Sequence, residues 1–147
     1  MRFRKSIVFV ALIIMCGLTL NAQSSIGGII NIYTPVLSIR TEGCAALLDV
    51  EDTTGFRAGD RVMLLQTLGC TNTASYSTDA VGLFEFATIE RVKPNKVLEL
   101  RRTLINRYDR CNFTQLIRVP SYDGTTIVTS LLQGGRWDGR TGGVIAL

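Results

Sequence analysis

The chain has 147 residues, a formal net charge of +4, 46% hydrophobic residues and no histidine. This length suits one ordinary domain. The lack of histidine excludes histidine-dependent catalytic triads and most zinc sites. Fourteen glycines against three prolines indicate an ordered, turn-rich chain rather than a disordered one.

Residues 1–22 are predicted to be a secretory signal peptide. Three basic residues precede a mostly apolar run at 7–20, and Ala22 supplies a small residue at the cleavage point. An uncleaved membrane anchor is the alternative, but a membrane-spanning helix needs about 20 residues. The exported chain would begin at Gln23 with a net charge of +1. We therefore expect an extracellular or cell-surface protein that meets the membrane only through its export signal, and no nucleic-acid partner.

Export changes the interpretation of the cysteines. Cys16 leaves with the signal; as a lipoprotein cysteine it lacks the small residues expected before it. Cys44, Cys70 and Cys111 remain, an odd number for an oxidising compartment. Either one pair and one free thiol are present, or all three are small buried hydrophobic residues.

The exported chain has the pattern of short strands separated by turn residues. Turn formers fill residues 51–60, where Phe56 is predicted to plug the end of the core, and a Pro-Asn pair at 93–96 predicts a reverse turn. Residues 67–81 are predicted to form a long polar surface loop. The predicted strands are residues 26–33, 34–39, 45–50, 61–66, 82–92, 97–100, 115–119, 125–132 and 142–147. We therefore predict an all-β, sandwich- or barrel-like domain of short antiparallel strands, preceded by a signal-peptide helix.

Residues 97–110 are ambiguous. Val97, Leu100, Leu104 and Tyr108 lie three or four residues apart, a spacing that also allows an amphipathic helix. The reverse turn directly before this stretch favours a strand that pairs back as a hairpin.

Consecutive pairing of the strands predicts which loops meet. If each strand pairs with the next, the loops at 67–81 and 101–114 share one end of the sheet. Cys70 lies in the first loop, Cys111 in the second, and Cys44 at the same end. We therefore predict a Cys70–Cys111 disulfide, which closes a long loop and would stabilise the fold by about 3–4 kcal/mol.

Four residues are candidate ligand contacts. Arg107, Tyr108 and Arg110 form a basic, aromatic segment suited to an anionic polymer such as an acidic polysaccharide, with a solvated loop as the alternative. Trp137 would stack on a sugar ring or pack against a following module.

Acidic residues offer weaker sites. Four carboxylates crowd one turn and have the oxygen chemistry of a calcium site, but their spacing matches no EF-hand and aspartates favour turns: Asp49, Glu51, Asp52 and Asp60. Glu85 and Glu90 are predicted to face opposite sides of a strand, solvated or paired with Arg or Lys. We predict no metal site, no catalytic residue and no cofactor.

Five segments carry a resemblance to a known family. They are Ile32-Tyr33-Thr34-Pro35-Val36, Thr54-Gly55-Phe56 with Gly59-Asp60-Arg61-Val62, Phe84-Glu85-Phe86-Ala87-Thr88-Ile89, Leu116-Ile117-Arg118-Val119-Pro120-Ser121-Tyr122, and Trp137 with Gly139 and Thr141-Gly142-Gly143-Val144-Ile145-Ala146-Leu147. In this order they resemble the amino-terminal region of large secreted adhesin-like surface proteins of Bacteroidetes, of the type exported by type IX secretion with a gliding-motility-associated carboxy-terminal domain. The basic segment 101–111 departs from that pattern, and the family has no established catalytic residues here to transfer.

The resemblance implies a division of the chain. After the signal peptide, residues 23–132 would form the β domain, and residues 133–147 would begin a glycine-rich β region that continues in a longer protein. The hypothesis is a non-enzymatic amino-terminal structural or capping domain of an exported surface protein, whose partners are its own downstream domains. The alternatives are an extracellular module that binds glycans, or an accessory domain of a polysaccharide-acting enzyme.

Overall fold

The computed structural model describes residues 24–72, 75–77, 81–108, 113–122 and 126–147, which form ten strands and no helix. The predicted signal peptide, Arg110 and Cys111 lie outside these ranges. None of the described segments is a helix that is apolar and long enough to cross a membrane. The strands are β1 (Ser24–Ile29), β2 (Ile32–Glu42), β3 (Ala45–Val50), β4 (Arg61–Gln66), β5 (Cys70–Asn72), β6 (Ser75–Ser77), β7 (Phe84–Lys93), β8 (Val97–Leu100), β9 (Thr114–Val119) and β10 (Thr126–Gln133).

Six strands close into a barrel in the order β2-β3-β8-β7-β4-β9, and each is antiparallel to both neighbours. The predicted all-β class with short antiparallel strands is therefore confirmed. The hairpin pairs β4–β7 and β7–β8 are also confirmed, but β8 pairs with β3 instead of β9, and β9 lies between β4 and β2. Closure of this kind leaves no free sheet edge within the barrel.

Inward- and outward-facing side chains alternate along each strand, and the inward-facing ones form the core. On β4, Val62 and Leu64 point into the barrel and are fully buried, while Met63 faces outward. Phe56 from the β3–β4 connection is 5% exposed and joins the interior cluster, which confirms its predicted role as a plug. The interior cluster is completed by Val36, Ala46, Leu48, Val50, Ile89, Leu98, Leu100 and Leu116.

The barrel has two distinct ends. The β2–β3 turn and the connections that leave β4 and β8 lie at one end, here the upper end; the β3–β4 connection and the β7–β8 turn lie at the lower end. The shared end predicted for the two long loops is therefore confirmed. Part of the predicted loop at 67–81 is itself a hairpin, β5–β6. β8 ends at Leu100 as predicted, and residues 101–108 are neither helix nor strand, which agrees with the predicted loop. The amphipathic helix that the spacing at 97–110 also allowed is not present in the described part of this stretch.

Two features of the termini differ from expectation. The predicted strand at 26–33 is two strands, because β1 leaves the barrel and pairs with β10 as a separate parallel ribbon. The predicted strand at 142–147 is not a strand; Gly142 and Gly143 have φ values of +97° and +74°. Such values interrupt an extended chain and favour glycine.

The carboxy-terminal segment instead lies across the outer face of β2 and β9. The Asn31 side chain donates to the Ala146 carbonyl at 2.8 Å and accepts from the Ala146 N–H at 3.0 Å, and Gln115 forms the same pair of bonds with Gly142 at 3.2 and 2.9 Å. Between them, the Tyr33 hydroxyl donates to the Val144 carbonyl. Three side chains thus form the hydrogen bonds to this segment that the backbone of a neighbouring strand would form in a sheet.

These contacts cover a second, smaller core outside the barrel. Met63, Ile117, Val119 and Ala146 are buried together, with Tyr33, Leu65 and Val144 packed around them.

The cysteines can be placed only in part. Cys44 is an exposed free thiol in the β2–β3 turn, so it is not a buried hydrophobic residue. The Cys70–Cys111 disulfide stays a prediction, because Cys111 and the Cys70 side chain lie outside the described residues.

We predict that Asn31→Ala lowers the free energy of unfolding by about 3 kcal/mol, because it removes three hydrogen bonds of the Asn31 side chain, with the Ala146 N–H and with the Ala146 and Arg118 carbonyls. Denaturant unfolding of the exported chain measures this. The control is Gln133→Ala, an exposed amide on β10 for which we expect a change within about 0.5 kcal/mol. Equal effects of the two substitutions would contradict the role given to Asn31.

Candidate functional site

The parallel ribbon of β1 and β10 is an exposed apolar surface. Ser24 to Ile26 pair with Thr126 to Val128, and Gly28 to Ile29 with Leu132 to Gln133. Leu131 is 76% exposed, Ile29 59% and Val128 56%. Ile127, which is 45% exposed, and Val128 are adjacent in the regularly paired part of β10, so they lie on opposite faces and both faces present apolar groups. A two-stranded sheet gains little stability by itself, so this ribbon is an incomplete element.

The second candidate is a polar cleft at the upper end. It has a volume of about 970 Å³ and lies between the second half of β2 and residues 104–108. Arg107 and Tyr108, both predicted ligand contacts, line it together with Asn106, Ser38 and Thr114. The structure therefore brings two of the four predicted contact residues to one cleft; Arg110 lies outside the described residues.

Glu85 holds the wall of this cleft in place. Its carboxylate accepts the backbone N–H of Ile105 at 2.9 Å and of Asn106 at 3.2 Å. The Asn106 side chain in turn donates to the Phe84 carbonyl at 3.3 Å. Among the described residues, Glu85 thus binds backbone groups and not an arginine or lysine side chain. Glu90 forms the predicted type of pair, with Arg101 at 3.0 Å.

Tyr108 and Arg107 differ in environment. The Tyr108 hydroxyl is buried without a well-formed hydrogen bond, although the Asn106 and Glu85 side chains lie near it. Burial first, and the Glu85 charge second, raise the pKa of Tyr108 above its usual value of 10. Tyr108 is therefore neutral at physiological pH. Arg107 is exposed and forms no ion pair with any of the side chains that the structure describes. An exposed guanidinium of this kind suits an anion.

Trp137, the fourth predicted contact, lies elsewhere. It is 39% exposed and belongs to the turn at 135–142 on the outer face of the barrel. Asp138 organises this turn by accepting the N–H groups of Thr141 at 2.7 Å and Arg140 at 2.8 Å, and these bonds lower the pKa of its carboxyl. Trp137 therefore does not share a site with Arg107 and Tyr108.

The crowded carboxylates of the lower connections each have a separate partner. Asp49 pairs with Arg40 at 2.7 Å, Glu51 with Arg140, and Asp60 accepts the Arg57 N–H at 2.8 Å. Asp52 accepts the N–H and hydroxyl of Thr54, which lower the pKa of the Asp52 carboxyl. Within the described residues no three potential ligand side chains come together in a way that would hold a metal ion.

Comparison with known proteins adds one match. No family model matches the chain, and no curated protein matches it. Among solved structures, the chain is similar to the Gp54 tailspike of Acinetobacter baumannii bacteriophage AP22, in complex with the capsular saccharide of A. baumannii, with 14% identity and a TM-score of 0.47. The match covers 70% of this chain and 17% of the tailspike chain. At this level of similarity it identifies no family.

Two tyrosines provide a matched test of these assignments. We predict that Tyr33→Phe destabilises the chain by about 1–2 kcal/mol, because the hydroxyl donates to Val144 and accepts the Gly135 N–H at 3.0 Å. We predict that Tyr108→Phe is neutral or stabilising, because it removes a buried hydroxyl that lacks a well-formed bond. Thermal and denaturant unfolding compare the two variants; a larger loss for Tyr108→Phe would show that its hydroxyl has a partner.

Proposed function

We propose that the chain is the non-enzymatic amino-terminal capping domain of a larger exported surface protein. The observation that supports this best is the β1–β10 ribbon, which is parallel and exposed on both faces. Parallel sheets in proteins are normally covered on both faces. A parallel ribbon that exposes Leu131, Ile29 and Val128 therefore fits a surface that further β-structure covers.

The occupant we propose is the glycine-rich β region that the resemblance implies after Leu147. The carboxy-terminal segment runs down the barrel from Gln115 to Asn31, and Asn31 follows the end of β1 by two residues. A continuing chain would therefore start beside the ribbon. Strands added there would extend a parallel sheet from a ribbon that is already ordered, and repetitive arrays need a cap at each end.

The capping proposal predicts the size of the native product. We expect the intact mass of the secreted protein with Gln23 at its amino terminus to be far above that of the 125 residues from Gln23 to Leu147. Mass spectrometry of the protein purified from its producing cells measures this. A mass that matches 125 residues would contradict the proposal and favour a small binding protein.

Hydrogen exchange of the 125-residue chain and of the longer product should distinguish strands that further structure covers from strands that stay exposed to solvent. We expect the β10 amides to exchange fast in the 125-residue chain and slowly in the longer product, whereas the β9 amides, buried in both, should exchange slowly in both. Fast exchange of β10 in the longer product would mean that nothing covers the ribbon.

A second candidate function is the binding of an acidic glycan at the upper cleft. The observation in its favour is that Arg107 is exposed at the edge of a polar cleft and has no ion pair within the described part of the chain. Arginine recognises carboxylates and sulfates through its planar fork of N–H donors. The neutral Tyr108 and the Asn106 amide would supply an apolar ring and a hydrogen-bonding group beside that charge.

We predict that Arg107→Glu lowers the affinity for an acidic polysaccharide at least tenfold, measured on a glycan array and by calorimetry. Arg102→Glu is the matched control, since Arg102 is exposed on the same segment but does not line the cleft. Equal losses from both substitutions would indicate general charge attraction. Binding that survives Arg107→Glu would exclude Arg107 as a contact.

A further inference from the structure

The upper cleft also has an apolar rim. Ile105 lines the cleft from the segment at 104–108 and Leu37 lines it from β2, so one apolar residue stands on each wall. Ile105 is 92% exposed, the highest value among the large hydrophobic residues that the structure describes, and Leu37 is 43% exposed. Single exposed apolar residues are common on protein surfaces. Two of them on the walls of one cleft form a surface that a ligand can cover.

The backbone of Ile105 is fixed, although its side chain lies almost entirely in solvent. The Glu85 carboxylate accepts the N–H of Ile105 at 2.9 Å and that of the next residue, Asn106, at 3.2 Å. Because isoleucine is branched at Cβ, its χ1 torsion also has few accessible values. A ligand that packs on Ile105 therefore orders few torsions, which lowers the entropic cost of binding.

Leu37 is placed by a β-bulge. On β2, Val36 pairs with Val50 of β3, and Ser38 pairs with Asp49. Two steps along β2 thus match one step along β3, and Leu37 is the extra residue. A bulge re-aims a side chain away from the regular alternation of its strand, and bulges are over-represented next to functional sites. The exposure of Leu37 in the cleft is therefore a local feature of the backbone, separate from the one that positions Ile105.

The inner part of the cleft is apolar as well. Ile39 and Leu104 line it and pack against the interior cluster of the barrel. Two hydroxyls of the lining are already used: that of Thr114 donates to a side-chain oxygen at 2.6 Å, and that of Ser38 also donates to a side-chain oxygen. Arg107 is the charged residue among those that line the cleft. The lining thus combines one positive charge with apolar groups on both walls.

We propose that the cleft recognises an acidic polysaccharide whose sugars carry a methyl-bearing substituent, either an acetyl group or the methyl group of a deoxy sugar. The proposal rests on the binding of an acidic glycan at this same cleft. The carboxylate pairs with Arg107, and the methyl group packs against Leu37 and Ile105. A hydroxyl in the place of the methyl group would lose hydrogen bonds to water and gain none from these two side chains, so an unsubstituted polymer binds more weakly.

The test uses the exported chain and three polymers that share galacturonate as their acidic sugar. They are polygalacturonate, its O-acetylated form, and rhamnogalacturonan, in which a deoxy sugar alternates with galacturonate. We expect calorimetry to show that at least one methyl-bearing polymer binds about three- to tenfold more tightly than polygalacturonate, as contact with one or two methyl groups would give. The polymer that does so identifies the source of the methyl group.

The other outcomes separate this proposal from the glycan function beneath it. If polygalacturonate binds as tightly as both methyl-bearing polymers, or more tightly, recognition of the methyl group is overturned while glycan binding stands. If none of the three polymers binds, the glycan function is contradicted as well.

Two substitutions and one control locate the contact, with the ratio of the affinities for the methyl-bearing polymer and for polygalacturonate as the measurement. Ile105→Thr keeps the branch at Cβ but makes the side chain polar, and it should bring this ratio to about one. Leu37→Thr should lower the ratio as well. Val92→Thr is the matched control, because Val92 is 42% exposed on β7 and does not line the cleft, so the ratio should stay unchanged.

Unfolding measurements on each variant establish that it is folded, and the high exposure of Ile105 makes a large loss of stability unexpected. An unchanged ratio in folded Ile105→Thr would overturn the contact with Ile105. An equal fall of the ratio in Val92→Thr would show that the effect does not arise in the cleft, and would also overturn the proposal.

Discussion

The burial of β9 on both of its faces is the constraint on which the rest of the structure depends. Its inner side chains, such as Leu116, fill the barrel, while its outer side chains, such as Ile117 and Val119, need a separate cover. Neighbouring strands cannot supply that cover, because β4 and β2 already occupy both edges of β9. The carboxy-terminal segment provides it, and this explains why a chain with so small a barrel needs residues 134–147.

Two side-chain amides hold the carboxy-terminal segment over β9 and fix its position along the barrel. Asn31 and Gln115 each bond both the N–H and the carbonyl of one residue, so they specify the position of the segment as well as its attachment. A shift by one residue would bring apolar side chains of the segment out to solvent and leave both amides unpaired. Gly142 is required at its position, because a Cβ there would lie 2.4 Å from the Arg136 carbonyl oxygen and its φ is positive.

The strands that could be predicted from the sequence are those in which the residues of the strand and its flanking turns carry the whole signal. The bounds of β3, β4 and β8 agree with the prediction, since alternating or apolar runs are flanked there by Gly, Asp, Pro and Asn. The segment at 142–147 was mispredicted because its apolar residues are covered by long-range partners: Asn31 lies 115 residues from Ala146. Nothing in the local pattern distinguishes a paired strand from a segment that side chains hold in place.

The same limit applies to the sites. Arg107 and Tyr108 were recognised from composition, but the role of Glu85 depends on backbone groups twenty residues away. Arg118 lies two residues after the inward-facing Leu116, so alternation alone places this charged residue on the inward face of β9. Its partner there, the Gly55 carbonyl, is 63 residues away along the chain, and no local pattern predicts it.

The placement of these features decides which functions are compatible. Both strands of the ribbon join the barrel at its lower end, where β1 leads into β2 and β9 leads toward β10. Arg107 and Tyr108 lie at the opposite, upper end. A structure that covers the ribbon would therefore leave the upper cleft open to solvent. Capping by further β-structure and glycan binding at the cleft are thus compatible with each other.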